Sequence, residues 1–254
     1  MATSSLAARL RAGETLISGW SAIPEPLVAE AIARAGFDCV ILDMQHGLHD
    51  TRSVGQSISG IVLAGRPAII RVPLGDNAFA SRALDMGAEA IIAPMINTPA
   101  EARAFIAATK YPPVGERSWG PARALALSGK SPQAHLETSN FATLAFAMIE
   151  TDRALGALDD ILAVQGLDGV FVGPSDLSVT LSSGAKIAPF DSDLDTALRH
   201  IADLANAAGK IAGAFTATPE RAKHYRLFGY RLLALGSDSA YLAAGAASML
   251  DAAK

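Results

Sequence analysis

The stretch "CVILDMQHGLHD", Cys39 to Asp50, decides how the fold is read. It opens as an unbroken apolar run and ends in Asp43, Gln45, His46, His49 and Asp50. A short run that is apolar at every position suits a strand covered on both faces, because a half-exposed strand would alternate. The polar tail then follows the strand at once, as if delivered to one end of a sheet. Seven more runs share the apolar character: 15–21 (TLISGWS), 68–73 (AIIRVP), 90–95 (AIIAPM), 144–150 (LAFAMIE), 169–174 (GVFVGP), 211–217 (IAGAFTA) and 232–237 (LLALGS). Between them lie Ala-rich segments with helical spacing. "EPLVAEAIARAG" stops at Gly36, and "TPAEARAFIAA" and "TPERAKHYRLFG" each open on Thr then Pro, an N-cap and first-turn pair.

Eight buried strands alternating with helices predict an α/β fold, a (β/α)8 TIM barrel that takes residues 1–254 as a single domain. An open doubly wound sheet is the alternative, but no G-x-G-x-x-G follows the first strand. Residues 110–143 interrupt the rhythm. Pro112, Pro113, Gly115, Gly120 and Pro121 make the first half a loop, and long loops in compact domains are usually functional or interfacial.

Composition excludes several classes. The formal net charge is −4 with no Lys/Arg cluster, which argues against nucleic acid or an anionic membrane as partner. The lone Cys39 sits in an apolar run and reads as a buried thiol. No apolar run approaches about 18 residues, and the opening residues lack a secretory core. A soluble, cytoplasmic protein is expected.

In a parallel barrel the active site lies at the carboxyl ends of the strands. Those ends carry Trp20, Asp43 with His46, Arg71, Glu150, Gly173-Pro174-Ser175-Asp176, Phe215 and Asp238. Arg71 and Glu150 interrupt apolar runs, where an unpaired charge is costly. Either they form a structural salt bridge or they belong to a site. Glu150 and Asp176 end neighbouring strands, and two carboxylates with open positions suit Mg²⁺ or Mn²⁺. No H-x-H or H-E-x-x-H motif supports a zinc hydrolase, and none of the six lysines ends a strand on the reactive face, so a Schiff base has no nucleophile. The turn after Gly173 opens a short helix whose amides either hold an anion or merely begin the helix. His46 is the acid–base candidate, while His49 reads as its solvated neighbour. Asp85, near a helix C-terminus, opposes the helix dipole and needs solvent or a cationic partner.

Taken in order, "LDMQHG" (42–47), "IIRVP" (69–73), "LDMGAEAIIAPMINTPAEA" (84–102), "YPPVGERSWG" (111–120), "MIET" (148–151), "FVGPSDLS" (171–178) and "LLALGSDS" (232–239) resemble the HpcH/HpaI class II pyruvate aldolases. That family is typified by 4-hydroxy-2-oxoheptanedioate aldolase and 2-dehydro-3-deoxyglucarate aldolase. The resemblance implies a barrel assembled as a homohexamer with an exchanged C-terminal helix. It implies Glu150 and Asp176 as ligands of a divalent metal, Mg²⁺ or Mn²⁺ first and Co²⁺ or Zn²⁺ next. His46 becomes the acid–base group, Asp85 its partner, from the same or an adjacent subunit, and Arg71 faces the keto oxygen of pyruvate. The substrate-contacting set is then Trp20, Asp43, Trp119, Met148, Gly173, Pro174, Ser175 and Phe215. Three positions depart from the pattern: Gln45 stands where many relatives have Glu, Met148 where several have Gln, and Trp119 replaces a smaller residue. The implied reaction is reversible aldol cleavage of a 4-hydroxy-2-oxo acid into pyruvate, or a related 2-oxo acid such as hydroxypyruvate, and an aldehyde. It places the enzyme in the breakdown of aromatic compounds or sugar acids. A citrate-lyase-beta-like thioester lyase and a non-catalytic binding barrel are the rival readings.

Overall fold

Each of the eight apolar runs forms a strand. The computed structural model describes residues 5–254. β1 (Leu16–Ser21), β2 (Cys39–Asp43), β3 (Ala68–Arg71), β4 (Ala90–Ala93), β5 (Leu144–Ile149), β6 (Gly169–Val172), β7 (Ile211–Thr216) and β8 (Leu232–Leu235) pair in sequence order as a closed barrel. Every pairing is parallel, and β8 returns to β1. The helices are α1 (Leu6–Arg11), α2 (Pro26–Arg34), α3 (Thr51–Leu63), α4 (Asn77–Met86), α5 (Pro99–Thr109), α6 (Ala122–Ser128) and α7 (Pro132–Ala142). They continue with α8 (Asp152–Gly156), α9 (Leu158–Leu162), α10 (Pro174–Leu181), α11 (Ser192–Ala207), α12 (Pro219–Leu227) and α13 (Asp238–Ala252). Thr98 and Thr218 cap α5 and α12 through their side chains, with Pro in the first turn of each, as the Thr-Pro pairs predict.

Side chains alternate across a strand, so the interior is read by counting in twos. Leu144, Phe146 and Met148 point inward with Ile41, Ile69, Ile92 and Phe171, while Ala145, Ala147 and Ile149 face the helix layer. Continuing the inward count puts Asp43 after Ile41, Arg71 after Ile69 and Glu150 after Met148. The charges therefore stand on the inner wall at the carboxyl rim. At the other end α1 stops the barrel with Leu6, Ala7 and Leu10, all buried. The amide of Leu6 donates to Glu89 across 3.0 Å. Lys110 is buried at this same end, bonded to Asp168 at 2.6 Å and to the carbonyls of Asn140 and Thr143. Its amine is thus structural and remote from the rim. Cys39 also begins its strand there, and burial pushes its thiol up to about 12.

The insertion between β4 and β5 is a loop in its first half and forms α6 and α7 in its second. Where α13 meets the end of β1, Asp238 is buried and its Oδ2 accepts the amides of Ala22 and Ile23 at 2.7 and 2.8 Å. It is the only buried residue of α13, whose Leu242, Met249 and Leu250 are all exposed. Among the described residues no helix is long and apolar enough to cross a membrane.

Candidate active site

Arg71 and Asp43 stand opposite one another in the register of β2 and β3. That register makes their bidentate pair: Arg71 Nε donates to Asp43 Oδ1 at 2.8 Å and Nη2 to Oδ2 at 2.6 Å. The Arg71–Glu150 bridge, the alternative to a site reading, is not the pairing that forms. Asp43 Oδ1 also accepts the amides of Gln45 and His46. Burial alone would push the Asp43 carboxyl up, but the Arg71 hydrogen bonds and the two amides more than offset it and hold it below its ordinary value. With both oxygens engaged and the residue 2% exposed, Asp43 orients Arg71 and the His46 loop. It is not among the side chains that line the cavity described next. Gln45 contributes a buried Oε1 that has no hydrogen-bond partner among the described residues.

The rim encloses a cavity of about 220 Å³ lined by Trp20, His46, Arg71, Met148, Gly173, Pro174, Ser175, Asp176 and Phe215. Trp20 forms one wall, edge-on to Phe215 at 5.2 Å, and its ring faces the Arg71 guanidinium at 4.7 Å. A guanidinium over an aromatic face is held without losing its outward donors. A larger groove of about 660 Å³ runs along α5 and α9 on the outer surface and holds none of these groups.

Glu150 is buried beside Gly173 of the cavity lining, 2% exposed, with Oε1 accepting the Met95 amide at 2.7 Å. Its carboxyl is pushed up to about 7, first by burial and further by the neighbouring charge of Asp176. A Cβ on Gly173 would sit 2.7 Å from Glu150 Oε2 and 2.8 Å from Met148 Cε, so glycine lets the α10 turn close over the carboxylate. Asp176 is exposed in the first turn of α10. No group of three His, Cys, Asp or Glu side chains gathers among the described residues. Two carboxylates, one of them buried without a cation of its own, fit a hard divalent ion that keeps water and accepts oxygens from a substrate. A third ligand from the protein is not required for that ion class.

Two expected site residues lie elsewhere in this chain. α4 runs away from the rim, so Asp85 near its end stands at the opposite face, paired with Arg117 at 2.6 Å. Arg117 is the cationic partner that the helix end called for. Trp119 is 47% exposed and rests against Tyr111 and His135. His49, expected to be solvated, is 6% exposed between the hydroxyls of Ser21 and Ser53, each at 3.1 Å. It bridges the β1 loop to α3 and so fixes the far end of the His46 loop.

Burial holds the His49 imidazole below its ordinary value of 6.5, against the raising influence of Asp238, Asp43 and Asp50. The unfolded chain takes up that proton near pH 6.5 while the folded one resists. Stability is therefore lost as pH falls below that value. His49→Gln is expected to flatten the acid side of the Tm–pH curve. Parallel curves for the two proteins would refute this.

The HpcH/HpaI aldolase/citrate lyase profile matches residues 17–244. A hydroxypyruvate/pyruvate aldolase of Rhizorhabdus wittichii is 36% identical over 94% of each chain. A 4-hydroxy-2-oxo-heptane-1,7-dioate aldolase of Salmonella typhimurium is 33% identical over 94% of this chain and 90% of that one. The crystal structure of an HpcH/HpaI aldolase/citrate lyase family protein from Burkholderia cenocepacia superposes with a TM-score of 0.86 at 30% identity, over 98% of both chains. The chain belongs to the HpcH/HpaI aldolase/citrate lyase family and is a carbon–carbon lyase.

Proposed function

We propose that the protein is a divalent-metal-dependent aldolase that reversibly joins pyruvate, or a related 2-oxo acid such as hydroxypyruvate, to an aldehyde, giving a 4-hydroxy-2-oxo acid. The observation that carries this reading is the convergence of Asp176, Arg71 and His46 on one small cavity walled by Trp20 and Phe215, with the buried Glu150 carboxylate packed against Gly173 of its lining. Glu150 and Asp176 would hold the cation, Mg²⁺ or Mn²⁺ by their hard oxygen donors. When bound, the cation supplies Lewis-acid stabilisation of negative charge on the 2-oxo acid.

The remaining roles belong to the chain. Arg71, held in place by Asp43, presents positive charge to the keto oxygen as charge develops there. The free amides at the start of α10, Ser175 first, are placed to receive the substrate carboxylate. His46 takes the proton from the 4-hydroxyl during cleavage and returns it in synthesis. Trp20, Met148 and Phe215 give the acid an apolar wall. The small cavity suits a short 2-oxo acid.

Asp85, at the opposite face, and Trp119, against Tyr111 and His135, do not join this set within one chain. We assign them to the rim of a neighbouring copy, with α13 exchanged in a homohexamer. That arrangement would cover Leu242, Met249 and Leu250. The cytoplasm is the proposed compartment.

The test is an aldehyde panel scored for addition of pyruvate and hydroxypyruvate, before and after chelation. Turnover should vanish with EDTA and return with Mn²⁺ or Mg²⁺. Activity that survives complete chelation would overturn the metal-dependent reading.

A further inference from the structure

The turn between β4 and α5 carries a backbone anomaly. Met95 has φ of 55°, the left-handed region that L side chains rarely adopt. Such a conformation persists only where its surroundings over-determine it. Here its effect is visible: it aims the Met95 amide at Glu150 Oε1, 2.7 Å away. With Oε1 engaged, Oε2 is left on the side of Gly173 and the turn that carries Asp176.

Asn97 holds that turn. Its Nδ2 donates to the Met95 carbonyl at 2.9 Å, and its Oδ1 accepts the hydroxyl of Thr151. A carbonyl can only accept, so the Met95 contact fixes which end of the amide is which. Thr151 directly follows Glu150 and caps α8 by accepting the Ala154 amide at 3.0 Å. The Asn97 backbone is tied as well, its amide donating to Glu101 Oε2 at 2.7 Å inside the α5 capping box. One side chain thus joins the loop after β4 to the loop after β5 on either side of the buried carboxylate.

We propose that Asn97 is a positioning residue for Glu150: it locks Met95 in the left-handed turn so that the Met95 amide fixes one carboxylate oxygen and leaves the other for the cation. The inference rests on the reading of Glu150 as a cation ligand. It adds a residue that touches neither substrate nor metal. Residues that orient a ligand in this way typically carry about 10–100-fold in metal affinity.

The experiment is a titration of the full-length protein with Mn²⁺ alone, read by EPR of the free ion. Asn97→Ala is expected to weaken Mn²⁺ binding by about 10–100-fold. Adding Met95→Gly to Asn97→Ala should recover most of that loss, because glycine enters the left-handed region without a steric penalty. A merely structural role for Asn97 would not be rescued in metal affinity by a change at residue 95. If Asn97→Ala does not fold, Asn97→Asp makes the same measurement, since it keeps the size and the acceptor for Thr151 and loses the donor to Met95. Wild-type affinity in a folded Asn97 variant overturns the proposal, as does a loss that Met95→Gly leaves untouched. A folded wild-type protein that binds no Mn²⁺ overturns the cation-site reading itself, an outcome distinct from either.

Discussion

Glu150→Gln is expected to abolish specific Mn²⁺ binding and to cut aldol turnover by about 10³ or more. The amide matches the carboxylate in shape and can still accept the Met95 hydrogen bond, but it brings no charge to a cation. Metal stabilisation of developing charge amounts to several kcal/mol, and each 1.36 kcal/mol is tenfold in rate, which is the source of the figure. The same substitution should leave the metal-free protein at least as stable as the wild type above pH 7. Burial beside Asp176 raises this carboxyl to about 7 from an ordinary 4.5, so the wild type loses stability as pH rises through that interval and the charge is forced into its buried position. Thermal melts at pH 8 without metal, together with a Mn²⁺ titration, check both halves. Unchanged Mn²⁺ affinity in the variant would remove Glu150 from the cation site.

Arg71→Met should fail in a different manner, losing both rate and stability. Removing a single donor to a developing oxyanion costs about 10²–10³ in kcat. Breaking a buried ion pair from one side costs about 3–5 kcal/mol, because the abandoned charge stays buried. Here that charge is Asp43, 2% exposed and left with only the Gln45 and His46 amides. The deficit should shrink in acid: in the variant Asp43 is no longer held below its ordinary value of 3.8, so protonation relieves the variant before it affects the wild type. Adding Asp43→Asn should restore much of the stability and none of the rate. Equal recovery of both in the double variant would assign Arg71 to architecture alone. Urea melts and steady-state kinetics on the three proteins separate the cases.

The barrel could be read from the sequence because burial on both faces leaves a simple mark, short runs without polar interruption. The same logic exposed Arg71 and Glu150, since each breaks such a run on the inward parity. Asp43 is visible as a charge but not as a tether, because its partner on β3 is fixed by sheet register, which the local sequence does not encode. His49 was misjudged for a similar reason. Its burial depends on Ser21, 28 positions earlier. "MINTP" looks only like a helix start, and the left-handed Met95 within it has no compositional signal, unlike a glycine in the same place. Asp85 offered one usable clue, its conflict with the helix dipole, and Arg117 answers it from an insertion whose course could not be predicted. Trp119 was assigned to the pocket by resemblance alone, and its place beside Tyr111 depends on that same insertion.

The hold of Asp238 on Ala22 and Ile23 spans 216 positions of chain. On a ribosome adding about 5–20 residues per second, Trp20 would emerge roughly 10 to 45 seconds before the carboxylate that anchors the loop beside it. β1 likewise lacks its second neighbour until β8 has been made. A nascent chain can therefore gather its middle strands early, yet the seam that shapes the pocket's aromatic wall must wait until β8 and Asp238 have been made. Catalytic competence should arrive late and all at once, and an incomplete chain should carry the reactive groups without a vessel to use them in.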